Sequence, residues 1–157
     1  MTAARWTVLV LGDAMRGDDG AALLAADPLD ATAAPHTIRR VGMLGPEDLV
    51  TALADGPCLV LDAVRGITPG DVVELPLDRV ADAGGPQPAS SHALPAGTIV
   101  RLAEALGARL EAGTFLGIGG ERFELGDPIS PAVRRGLAGY KRAIARRLGT
   151  TGGSRCA

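Results

Sequence analysis

Two nearly unbroken apolar runs constrain this chain most: Trp6-Thr7-Val8-Leu9-Val10-Leu11 and Cys58-Leu59-Val60-Leu61-Asp62-Ala63-Val64. A strand with one wet face alternates apolar and polar residues, and neither run does. Such runs suit central strands covered on both faces, as in a parallel sheet flanked by helices. The segments around them alternate in period. Thr37 to Val41 reads as another strand, and Gly113 to Ile118 as the last. Gly20 to Ala26 reads as a short helix stopped near Pro28. Pro46 to Ala54 carries a first-turn proline and has Gly56 just past its end, the usual helix punctuation. Pro95 to Leu106 places Ile99, Leu102, Ala103 and Leu106 at helical spacing. Ser130-Pro131 is a cap followed by a first-turn proline, and it opens a stripe of Val133, Leu137, Tyr140, Ile144 and Leu148.

Strands alternating with helices predict an α/β domain. The expected form is a three-layer α/β/α sandwich with a mostly parallel, roughly five-stranded sheet. Asp71 to Leu75 follows its predecessor through the tight Thr68-Pro69-Gly70 turn. That is too close for a helical crossover, so this strand is expected to be antiparallel or at an edge. Pro76 to Pro95, rich in Pro, Gly, Ala and Ser, reads as one long connection. Residues 1-148 are expected to form a single domain and 149-157 a tail.

Composition removes several classes. With 157 residues, one domain with a real core is the default. Aromatics are 3% of the chain, so the core must rest on Leu, Val, Ile and Ala. Sixteen Lys+Arg against eighteen Asp+Glu, a net charge of -2, argue against a general nucleic-acid binder. No apolar stretch nears the roughly 20 residues that a membrane helix needs. The two cysteines, Cys58 and Cys156, make neither a disulfide framework nor a metal motif. A reduced, cytoplasmic setting and a monomer are expected.

In an open α/β sheet, ligands bind outside the carboxyl ends of the strands. Three segments bring polar residues there: Gly12-Asp13-Ala14-Met15-Arg16-Gly17-Asp18-Asp19-Gly20 after the first run, Asp62 near the end of another, and Ser90-Ser91-His92 before a helix. The glycine-rich loop lacks both phosphate-binding spacings, and its three acids would repel a phosphate. Carboxylate, carboxylate and imidazole are an ordinary donor set for Zn, Ni or Mn, and equally for acid–base work. Asp18 reads as a helix cap, Asp19 as ligand or helix-end charge alike, and Asp62 as a site candidate. His92, ahead of a helix N-terminus, is expected to be neutral and free to bond. His36 reads as a surface residue, and Gly42-Met43-Leu44-Gly45 as a turn.

At these residues the chain resembles the hydrogenase maturation proteases, which trim the C-terminus of the large subunit of nickel–iron hydrogenases. Four blocks in order carry the resemblance across nearly the whole chain. Val8 to Gly20 resembles the family's strand and "G-N-x-x-x-x-D-D/E-G" loop. Leu59-Val60-Leu61-Asp62-Ala63-Val64, followed by Pro69-Gly70, resembles its "V-D-A" strand and "P-G" turn. Ser91-His92 resembles its "S-x-H or S-H" segment. Gly117-Ile118 through Phe123-Glu124-Leu125-Gly126 to Ile129-Ser130-Pro131-Ala132-Val133 resembles its "G-I-x-P…G-L-S-x-x-V" region. Two positions depart: the family's Gly-x-Gly-Asn is here Val10-Leu11-Gly12-Asp13.

The resemblance implies that Asp19, Asp62 and His92 are the metal-binding and catalytic residues. It also implies an aspartic-type endopeptidase acting on a hydrogenase large-subunit precursor. Nickel carried by that precursor would be the recognition signal, with a divalent metal such as zinc as the other possibility. The rival readings are a non-catalytic metal- or precursor-binding maturation factor, another hydrolase such as a peptidyl-tRNA hydrolase, and a flavodoxin-like nucleotide binder. The acidic rim disfavours the last two.

Overall fold

The computed structural model describes residues 4–31, 36–82 and 95–149. Five strands form one sheet: β1 (Thr7–Leu11), β2 (Thr37–Gly42), β3 (Cys58–Val64), β4 (Val72–Pro76) and β5 (Gly113–Gly119). Their spatial order is β2-β1-β3-β5-β4. β2, β1, β3 and β5 run parallel, and β4 lies antiparallel against β5 at the edge. The short Asp71 turn thus produces the antiparallel edge strand that its length requires. The helices are α1 (Ala21–Ala26), α2 (Pro46–Asp55), α3 (Leu77–Ala81), α4 (Ala96–Ala105) and α5 (Pro131–Leu148). None of the described helices is long and apolar enough to cross a membrane.

The unbroken apolar runs are divided between two cores by the two-residue period of a strand. Val8, Val10, Leu59, Leu61, Leu116 and Ile118 face α1 and α5. Leu9, Cys58, Val60 and Phe115 face α2, α3 and α4. β1 and β3 therefore have nearly every side chain buried, each large one worth about 1.5–3 kcal/mol. Ala21, Ala22, Ala25 and Ala26 let α1 lie close on the sheet. Ser130 caps α5, its Oγ accepting from the Val133 N–H at 3.4 Å, with Pro131 in the first turn. At the other end Gly149 takes the left-handed conformation that stops the helix. An ion pair between Arg147 and Glu74 fastens α5 to the edge strand.

Two expectations need correction. The segment after Pro76 is not loop from its start, because Leu77, Val80 and Ala81 bury one face of α3. Five residues are too few for helical period to show in a sequence. His36 is not a plain surface residue: it is half-buried, and both ring nitrogens are enclosed without a partner among the described residues. Burial lowers its pKa. Residues 150–157, read as tail, lie outside the described residues.

Candidate functional site

The strand order creates a crevice. From β1 the chain moves outward to β2, then crosses back to place β3 on the other side of β1. The connections after β1 and β3 thus leave the sheet in opposite directions, the topology that places a crevice at their carboxyl ends in open α/β sheets. The ladder between these strands runs from Thr7–Cys58 to Val10–Leu61 and ends there. β3 continues beside β5 as far as Val64–Gly119. Asp62 is the first β3 residue beyond its β1 partners, so it stands where the strands part.

Asp62 keeps some exposed surface, but its carboxyl is poorly solvated. Its pKa is pushed up to about 8, first by burial and then by the negative charge of Asp19, against a lowering from the N–H of Ala63. That N–H donates to the carboxylate at 2.8 Å. The Asp19 charge thus lies close enough to act on Asp62. Asp19 lies in the turn before α1, where its carboxylate accepts the Asp13 N–H at 2.8 Å. Its pKa is also raised, by burial above all. The Asp13 N–H opposes that shift and the Asp13 charge adds to it, while Arg16 and Arg65 oppose it. Gly12 makes this approach possible: at φ +122 it lets the Asp19 backbone pass where a Cβ would sit.

The two other acids of this loop have different duties. Asp13 accepts from the Met15 N–H at 2.8 Å and pairs with Arg16 at 3.6 Å, so its side chain is engaged in its own turn. Asp18 is fully buried and is not a cap for its own helix. Its carboxylate accepts from the N–H groups of Glu121 (2.9 Å), Arg122 (3.0 Å) and Ser130 (2.7 Å). Burial pushes its pKa up, but these donors and the Ser130 hydroxyl outweigh that and hold it below the ordinary carboxylate range. The structural reading of Asp18 stands, with a different partner.

Chemically, two neighbouring carboxylates that both resist ionisation are suited to share a proton or a cation. Among the described residues no group of three or more His, Cys, Asp or Glu side chains forms a metal-binding cluster. His92, the third expected member, falls in 83–94 and lies outside the described residues.

A [NiFe] hydrogenase maturation protease, HybD from Thermococcus kodakarensis, matches with 25% identity over 92% of this chain and 98% of its own, at a TM-score of 0.69. The hydrogenase maturating endopeptidase HybD from E. coli matches with 18% identity, 94% of each chain and a TM-score of 0.72. HycI, a maturation protease from Thermococcus kodakarensis KOD1, shares 21% identity over 92% of each chain, with a TM-score of 0.66. The fold of this chain is that of these hydrogenase maturation proteases. Its structural kin are peptidases. No protein-family model matches the sequence, and no curated protein is significantly similar to it.

On this maturation-protease fold, sequence reasoning overlooked two residues, one beneath the crevice and one at its rim. Tyr140, assigned only to a helix stripe, is buried beneath Asp62. Its hydroxyl donates to the Leu116 carbonyl at 2.7 Å. Burial raises its pKa well above the ordinary value, and the Asp62 charge adds to this, while a hydrogen bond with the Asp62 backbone opposes it. Arg65, two positions after Ala63, sets its guanidinium carbon 4.3 Å from the centre of the Phe123 ring. A helical stripe conceals the first, and nothing local in the sequence marks the second. Cys58 is buried and free, with burial pushing its thiol up to about 12 despite the opposing charge of Arg39, so it is not a nucleophile.

Proposed function

We propose that this protein is the endopeptidase that removes the C-terminal extension of a nickel–iron hydrogenase large-subunit precursor. The observation that carries the proposal is the Asp19–Asp62 pair, standing at the parting of β1 and β3 in a fold shared with maturation proteases. Two carboxylates offer oxygen donors to a divalent cation, and their mutual repulsion falls when one binds between them. They do not complete a coordination shell among the described residues. That suits a cation carried by the substrate, with His92 as a third donor from this chain.

Nickel in the precursor would then be read by Asp19, Asp62 and His92 as part of the substrate. Docking on it would bring the peptide bond to be cut against the rim, where loss of motional freedom lowers the barrier. With the cation bound, Asp62 would be held as a carboxylate, and a carboxylate of this pair is placed to take a proton from the attacking water and pass it to the departing amine. Water attacks the carbonyl, the carboxylate takes one of its protons, the C–N bond breaks, and that proton ends on the new amino terminus, while the water oxygen stays on the new carboxyl group. When bound at Asp19, Asp62 and His92, the cation would supply positive charge beside the carbonyl oxygen.

The test is mass spectrometry of a nickel-loaded and a nickel-free precursor after incubation with the protein. Loss of the extension from the loaded precursor alone is the expected result. Binding without cleavage would identify a maturation factor that holds the precursor and does not cut it. Asp62→Asn should leave the loaded precursor intact.

A further inference from the structure

The crevice rim is acidic, yet besides Arg16, which is paired with Asp13, a second cation is built into it. Arg65 directly follows β3, and Gly66, with φ +92, turns the chain away immediately afterwards. The Arg65 guanidinium carbon lies 4.3 Å from the Phe123 ring centre, within cation–π range. Phe123 is itself in the core, at 5% exposure, packed with α1 and α5. The loop that carries Phe123 is fastened by the Asp18 carboxylate through the N–H groups of Glu121 and Arg122. The cation therefore has a rigid seat rather than a free tether.

That seat is close enough to the site for its charge to act on Asp19. Arg65 nevertheless forms no ion pair with a carboxylate among the described residues. Each other ion pair described there engages a different cation: Arg16, Arg39, Arg40, Arg101 or Arg147. Arg65 is exposed, so its N–H donors are open to a ligand. A guanidinium presents donors in a planar fork that matches a carboxylate in two-point contact. Without it, the acidic loop that carries Asp13 and Asp19 would push an anionic group away from this end of the crevice.

We propose that Arg65 is a substrate-anchoring residue that binds a carboxylate of the polypeptide being cut. This deepens the endopeptidase reading and rests on it. The carboxylate is either an Asp or Glu side chain near the cleaved bond or the free C-terminus of the segment removed. Phe123 positions the guanidinium, and no bond to Arg65 is made or broken.

The experiment is steady-state cleavage of a nickel-loaded precursor by the natural protein, Arg65→Met and Arg65→Lys. Three substrates are compared: the natural precursor, one with acidic residues near the cleaved bond changed to amides, and one whose C-terminus is blocked as an amide. A lost charge-assisted contact should raise KM about tenfold or more in Arg65→Met, with a smaller fall in kcat. Arg65→Lys should recover part of that loss. The amide substrate that removes the anchored group should raise KM for the natural protein and add nothing in Arg65→Met. Its identity decides between side chain and C-terminus. Methionine retains the apolar stem over Phe123, and thermal unfolding of each variant checks the fold. Equal KM for the natural protein and Arg65→Met, or an equal penalty on all three substrates, overturns the anchor while the peptidase reading survives. A natural protein that leaves the loaded precursor uncut overturns both.

Discussion

Asp18 and Asp19 are adjacent in the chain and opposite in environment: Asp18 is locked by three backbone N–H donors inside the fold, while Asp19 turns to the crevice beside Asp62. The stability and chemistry of this loop are therefore carried by different acids. Asp18→Asn cannot satisfy all three donors with its single acceptor oxygen. It should cost about 2–3 kcal/mol in urea unfolding, because buried N–H groups lose a charged partner. Asp19→Asn should cost well under half as much. Equal losses for the two would contradict this division.

Stability should also depend on pH through Asp62. Its folded pKa, about 8, lies above the ordinary carboxylate value of 3.8. Between those values the folded state holds a proton that the unfolded chain has released. Its contribution is therefore fully present below pH 3.8 and is lost as pH rises toward and through 8. Asp19, also raised, acts in the same direction. Asp18 acts oppositely, since its depressed pKa stabilises the fold above the ordinary range and is lost in acid. Unfolding free energies from pH 5 to 9 should fall more steeply for the natural protein than for Asp62→Asn. Parallel curves would show that Asp62 ionises normally.

Much of the scaffold was legible because each strand and long helix announces itself over several residues. Val8 and Leu9 read only as apolar, but the pleat then assigns them to opposite cores. Ser130-Pro131 marked the start of α5 by chemistry alone. Asp19 and Asp62 could be singled out as candidates because strand ends on an α/β sheet are where a ligand fits. What was not legible depends on contacts across the chain. The partners of Asp18 lie more than a hundred residues away. Tyr140 meets Leu116 from another layer. Arg65 gains its meaning from a ring in a later loop. None of these pairings leaves a period or a spacing to find.

Gly12 should be intolerant of any side chain. Its φ of +122 is strained for other residues, and a Cβ there would collide with the Asp19 carbonyl. Gly12→Ala should destabilise by about 1–3 kcal/mol and displace Asp19 from Asp62. The variant should accordingly lose cleavage even at temperatures where circular dichroism reports a folded protein. Gly42, also at positive φ but with open space around it, is the control: Gly42→Asn should leave cleavage intact. Normal cleavage by Gly12→Ala would show that the loop can be rebuilt without harm to the site.

Tyr140 tests whether the floor of the crevice is coupled to its rim. Its hydroxyl joins α5 to the Leu116 carbonyl of β5 and touches the backbone of Asp62 in β3. Tyr140→Phe keeps the ring and removes that link. The bond to the Leu116 carbonyl and the contact with the Asp62 backbone should then be lost, about 1–3 kcal/mol in unfolding free energy. The change should also free the Asp62 backbone to shift against β5, which loosens the position of the carboxylate. A fall in kcat greater than the loss of stability explains, measured well below the unfolding temperature, is the expected signature. A variant that is less stable but cleaves at the natural rate would confine Tyr140 to a role in holding the layers together.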